Sequence, residues 1–175
     1  MTLLSKVGKD LPKIFQQLID QFGFVLQSVS ESQACLRSPR CLIVFKVEKF
    51  ESSFFVEFSN PQDNSERYDY YLLMSMRYPD FPRSLPKCPD SLSEEQKLRF
   101  KIGVVCDNLL RYCRDLLAGD FSTIRREGYH DLALYLQLHT PIVLNLANDD
   151  PIKIKFWRGD LSWVKDLTER DKQSP

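Results

Sequence analysis

Glycine is scarce: six residues in a chain of 175, at positions 8, 23, 103, 119, 128 and 159, each isolated. Neither G-x-G-x-x-G nor G-x-x-x-x-G-K-[ST] occurs, which excludes a Rossmann or P-loop nucleotide site. Histidine is scarcer, with only His130 and His139. They stand nine apart with no H-E-x-x-H, so a zinc site on a helical His pair is excluded. His130 and Asp131 are sequence neighbours and on a helix point about 100° apart, so they form no dyad. Of the five cysteines, at 35, 41, 88, 106 and 113, none falls in a C-x-x-C and none carries a papain-like or caspase-like signature. A Cys–His pair assembled by the fold is left open.

Charge of one sign is also missing. Lys and Arg number 24, Asp and Glu 24. The halves are balanced too, and the pair Arg125-Arg126 is followed at once by Glu127. Phosphate neutralisation supplies most nucleic-acid affinity, so this absent footprint argues against a nucleic-acid partner. No run approaches the ~18 apolar residues of a membrane span. Met1 to Lys9 holds no apolar export segment, and no N-x-S/T sequon occurs. Cys106 and Cys113, seven apart on one expected helix, would be separated by about 10 Å, too far for a disulfide. Cys35 and Cys41 flank Ser38-Pro39-Arg40 and either face each other across a hairpin or pack as free thiols. These features together point to a reducing cytoplasm and reduced cysteines.

What remains is an ordinary globular pattern, expected as one domain over 1–172 with a frayed tail at 173–175. Leu11, Ile14, Phe15, Leu18, Ile19 and Phe22 form one apolar helical stripe. Asp10 is its expected cap, Pro12 suits its first turn and Gly23 its end. The period then changes to two. Segments 41–48, 53–58 and 69–76 read as strands, preceded by 24–30 and 33–37 as one interrupted strand or two short ones, and the short links require antiparallel pairing. The fold class is therefore α+β: an antiparallel meander of about four strands packed by the N-terminal helix and a long central helix, with a helical C-terminal part. The sheet portion is 9–76 and the mainly helical portion 91–170.

Residues 77–90 hold four prolines and read as a loop. Ser91 with Glu94 opens the central helix as a capping box, and Gly119 closes it near Ala118. Asp120 is expected to cap a short helix to Arg126. Residues 129–138 mix helical and strand character, and Pro141 is expected to end that segment. Over 142–157 a hairpin competes with a helix started by Asp150-Pro151; the N-cap pair favours the helix. Asp160 caps a last helix over 161–170.

Two segments are unusual for a plain surface. One is the loop Arg77, Tyr78, Phe81 and Arg83 among prolines. The other is Trp157-Arg158, with Phe156 before it and Trp163 after. Aromatic and Arg side chains are enriched at binding hot spots, so these six residues, Arg77, Tyr78, Phe81, Arg83, Trp157 and Arg158, are the candidate partner-binding set. The competing reading makes Tyr78 and Phe81 pins for the loop, and Trp157 and Trp163 anchors of the C-terminal helices. No catalytic residue, metal ligand or cofactor site is read from the sequence.

The order of helix, Gly23-Phe24, meander, and a long helix ending Leu109-Leu110-Arg111-Tyr112-Cys113-Arg114-Asp115-Leu116-Leu117-Ala118-Gly119-Asp120-Phe121 resembles small uncharacterised bacterial proteins of the toxin-immunity type. The likeness covers residues 9–121. It implies a protein partner and no shared catalytic motif. The expectation is a non-enzymatic cytosolic protein-binding domain, immunity-type or regulatory, acting on one partner. Two alternatives stand beside it: a small enzyme or ligand-binding domain with a pocket between sheet and helices, and a structural subunit of a larger complex.

Overall fold

A computed structural model describes residues 3–47, 54–78, 81, 86–158 and 160–173, with backbone alone at 54, 64, 65, 171 and 173. The chain divides into two compact units. The sheet unit comprises residues 1–70 and 85–121, and the helical unit residues 71–84 and 122–175.

In the sheet unit, five strands lie in the order β1 (Val25–Val29), β2 (Gln33–Arg37), β3 (Leu42–Val47), β4 (Phe54–Asn60), β5 (Asp63–Asp69), all antiparallel. Alternation does what the period-two pattern requires. Ala34, Leu36, Ile43, Phe45, Val47, Val56 and Phe58 are buried. The neighbours Cys35, Leu42, Val44 and Phe55 stay partly or largely exposed. The expected stripe forms two helices rather than one, α2 (Leu11–Ile14) and α3 (Gln16–Phe22), divided at Phe15, and a short helix α1 (Leu3–Val7) precedes them. Leu11, Phe15 and Leu18 are fully buried, and the Phe15 ring lies 5.0 Å from that of Phe45. Asp10 makes no cap; its carboxylate sits 2.8 Å from Arg99 Nε instead. Gly23 ends α3 at φ 67°, as its place after the stripe demands.

Two expectations about the sheet are corrected. The segment 70–76 is not a strand but helix α4 (Tyr70–Arg77). Its run Tyr-Tyr-Leu-Leu-Met is apolar throughout, so it fits either period. Tyr70, Leu73 and Met74 are the buried positions, which is helical spacing. The fifth strand instead occupies 63–69, expected as part of a connection, where Glu66 and Tyr68 alternate inward. Its polarity hid it. Glu66 is satisfied there by Asn60 Nδ2 at 2.7 Å and Tyr68 Oη at 3.4 Å. The expected link at 49–52 lies outside the described residues.

The central helix α5 runs Glu94–Tyr112 and is capped by Ser93 with Gln96, two residues later than expected. Both S-x-x-E and S-x-x-Q fit the box, and the second pair is the one used. At Cys113 (φ −123°, ψ 26°) the helix breaks, and one turn, α6 (Arg114–Leu117), precedes Gly119. Gly119 has φ 87°, and an added Cβ would lie 2.5 Å from Cβ of Arg40. Leu98, Ile102, Val105, Cys106 and Leu109 supply the buried face of α5, which packs on α1 and α2.

The helical unit contains α7 (Ser122–Arg126), α8 (Tyr129–Leu144), α9 (Pro151–Trp157) and α10 (Ser162–Gln173). Helix α8 passes through Pro141 rather than stopping. Pro141 and Gln137, whose carbonyl loses its partner, are both exposed, so water meets the vacant acceptor. Asp150 caps α9 by accepting from Ile152 N–H at 2.9 Å, and Asp160 accepts from Ser162 N–H at 3.0 Å before α10. The hairpin alternative is thereby excluded. Gln173, expected in a tail, closes α10; residues 174–175 lie outside the described residues. Val143, Ile152, Trp163 and Leu167 form the core of this unit.

Candidate functional site

The structure separates the six candidate residues by environment. Arg77 is turned inward, its side chain one-tenth exposed. Its Nε donates to Glu127 Oε2 at 2.9 Å and its Nη2 to Thr123 Oγ1 at 3.4 Å, so its charge is used inside the helical unit. Tyr78 is half-buried, and its N–H donates to Met74 O at 2.9 Å, extending α4 by one bond. Phe81 is 4% exposed, with its ring centroid 6.1 Å from that of Tyr71. Burial of this kind serves packing rather than contact with a partner. Arg83 lies outside the described residues.

Trp157 stands the other way, 67% exposed at the end of α9. It is not left loose. Its ring meets Phe156 edge-on at 5.3 Å, and Phe156 meets Trp163 edge-on at 5.7 Å. Trp163 is 1% exposed and lies 6.3 Å from Tyr135. A row of aromatic rings thus runs from the core of the unit to its surface. Edge-to-face contacts at these separations are favourable, by ~0.5–1.5 kcal/mol each beyond area burial. Arg158 follows as the C-cap residue, its N–H shared by the Ile154 and Lys155 carbonyls. Its guanidinium has no partner among the described residues. The nearby Lys155 is engaged with Asp166, so Arg158 carries the uncompensated charge beside Trp157.

Helix α8 bears a feature the mixed sequence pattern concealed. Leu134, Leu138 and Ile142, spaced i, i+4, i+8, are 56%, 60% and 49% exposed. The spacing was present in the sequence, but apolar residues surround it on every side, so no single face stood out. A second missed residue is Lys153. It is 9% exposed, and its Nζ donates to Leu144 O at 2.9 Å and Leu146 O at 2.7 Å. A cation thereby closes the C-terminal end of α8.

One histidine and two of the cysteines are engaged by the fold. His139 stacks on Tyr135 at 3.9 Å, and its Nδ1 lies 2.8 Å from the Tyr135 carbonyl, which makes Nδ1 the donor. Burial, reinforced by the neighbouring Cys113, pushes the Cys41 thiol up to about 12. Burial, reinforced by Asp107, does the same for Cys106, also to about 12. Both thiols stay protonated at neutral pH and are not nucleophiles there. Cys35 pairs in register with Val44, not with Cys41, and all five cysteines are free. Among the described residues no group of three or more His, Cys, Asp or Glu is placed to hold a metal, and no helix is long and apolar enough to cross a membrane. No protein-family model, no curated protein and no solved structure matches this chain.

Proposed function

We propose that the chain is a non-enzymatic protein-binding domain of the immunity or regulatory kind, acting on one protein partner in a bacterial cytoplasm. The observation that carries this reading is Trp157: a large aromatic side chain two-thirds exposed, held by the row of rings behind it, with an unpaired Arg158 next in the chain. An exposed Trp whose orientation is fixed in advance loses little rotamer freedom on binding. Trp and Arg are also the side chains whose truncation most often costs a complex ~2 kcal/mol or more.

The test is affinity capture from host extract with immobilised wild-type chain and with the Trp157→Ala/Arg158→Ala variant, followed by calorimetry on the recovered protein. The expected result is one protein bound at fixed stoichiometry by the wild type. The variant should keep its melting temperature yet bind at least about 30-fold more weakly. Equal binding by both forms would remove the site. Turnover of a small molecule by the wild type, unaffected by the double change, would remove the non-enzymatic reading.

A further inference from the structure

Several charged side chains of the sheet unit have an opposite partner: Lys6 with Glu95, Lys46 with Glu57, Arg99 with Asp10, Lys97 with Glu94. At one end of the sheet unit the arginines are held differently. The Arg40 stem lies across Gly119, and its Nη1 donates to Ala118 O at 3.5 Å. The Arg114 guanidinium lies 5.4 Å from the centre of the Phe22 ring, and the Arg114 carbonyl accepts from Ala118 N–H at 3.0 Å. Arg111, three residues earlier, stands 5.6 Å from the Tyr112 ring centre. Arg37 closes β2, opposite Leu42 of β3 and Val25 of β1, three residues from Arg40. All four are exposed, and none has a carboxylate within ion-pair distance among the described residues.

We infer that this end of the sheet unit, built from the β2–β3 turn, the close of α5 and α6, docks an acidic segment of a partner protein. Rings and backbone orient Arg40, Arg111 and Arg114 without neutralising them, so their charge and donor forks remain available. A guanidinium is weakly hydrated and presents parallel N–H donors that match a carboxylate. With Asp107, Asp115 and Asp120 close by in sequence, the four arginines leave only a small net positive charge, short of the basic footprint that phosphate neutralisation requires and suited instead to a few carboxylates of a partner segment. This surface belongs to the sheet unit and Trp157 to the helical unit, so the inference stands apart from the proposed function.

The test uses full-length chain and two fluorescein-labelled probes, a ten-residue poly-glutamate peptide and a ten-nucleotide single-stranded DNA, with anisotropy read at low salt. The wild type should bind the peptide more tightly than the DNA. The Arg40→Gln/Arg111→Gln/Arg114→Gln variant should bind the peptide about tenfold more weakly, which corresponds to ~1.4 kcal/mol. A control with Lys97, paired with Glu94, and Lys165, which lies 3.8 Å from Glu169, both changed to Gln should differ from wild type by less than about twofold. The single variants Arg111→Gln and Arg114→Gln, each exposed, carry the same comparison if the triple variant fails to fold. No peptide binding by the wild type, equal weakening in the control, or tighter binding of the DNA would each overturn the inference.

Discussion

Replacing Lys153 by Met isolates what a buried cation does at the end of α8. Met keeps the length and apolar stem of Lys and removes only the ammonium. In the wild type that ammonium donates to Leu144 O at 2.9 Å and to Leu146 O at 2.7 Å, from a side chain in a residue 9% exposed. Hydrogen bonds from a charged donor contribute about 1.5–3 kcal/mol each when partly buried. The interaction of a cation with the C-terminal end of a helix adds about 0.3–1 kcal/mol. Against these stands the desolvation of the ammonium itself, and Leu144 is 42% exposed, so its carbonyl can be rehydrated once Lys153 is gone. The expected net loss is about 2 kcal/mol, set mainly by the Leu146 carbonyl, whose residue is half-buried. Urea unfolding followed by far-UV circular dichroism measures it, with Lys153→Arg as a partner variant that keeps the charge. A loss below about 0.5 kcal/mol for Lys153→Met would refute the reasoning, because it would place the cation's desolvation cost level with its bonds.

Leu18→Asp, at a fully buried position of α3, should destabilise by at least about 3 kcal/mol in the same assay. Phe81→Ala should cost about 3 kcal/mol, since Phe81 is 4% exposed, whereas Leu138→Gln, at a residue 60% exposed, should stay within about 0.5 kcal/mol. The thiols of Cys41 and Cys106 have folded values near 12 against an ordinary 9.0, so their contribution is fully present below pH 9 and is lost as pH rises from there towards 12. Melting temperature should accordingly fall above pH 9, less steeply in Cys41→Ala relative to its own neutral-pH value; an unchanged slope contradicts this. At the acid end, the hydrogen bond from Arg170 holds the Asp150 carboxyl below its ordinary 3.8. Its contribution is present above that value and fades as pH falls below it, so Asp150→Asn should flatten the acid limb of the melting curve.

The elements legible in the sequence are those whose apolar residues fall on one face. The stripe from Leu11 to Phe22 and the alternation from Cys41 to Val47 each specify one period, and each element forms where its pattern lies. The failures come where the pattern is saturated or empty. Tyr70 to Met74 is apolar at every position, and only burial of residues 70, 73 and 74 selects the helix. Asp63 to Asp69 is polar at nearly every position, and its place in the sheet depends on hairpin pairing with β4 and on the Asn60 and Tyr68 bonds to Glu66, polar contacts that an apolar pattern does not register.

The candidate site divides along the same line. Residue type flagged Arg77 and Trp157 alike, because both belong to classes enriched at interfaces. Whether such a residue is available to a partner depends on whether the fold supplies an internal one. Glu127 lies 50 residues from Arg77 in sequence and neutralises it. Trp157 gains support from Phe156 and, through it, Trp163, yet keeps its outer face in water. Arg111 and Arg114 repeat the distinction, since aromatic rings orient them without cancelling their charge. The surfaces proposed for interaction are therefore the ones whose side chains packing holds and no internal partner satisfies, a property of contacts rather than of composition.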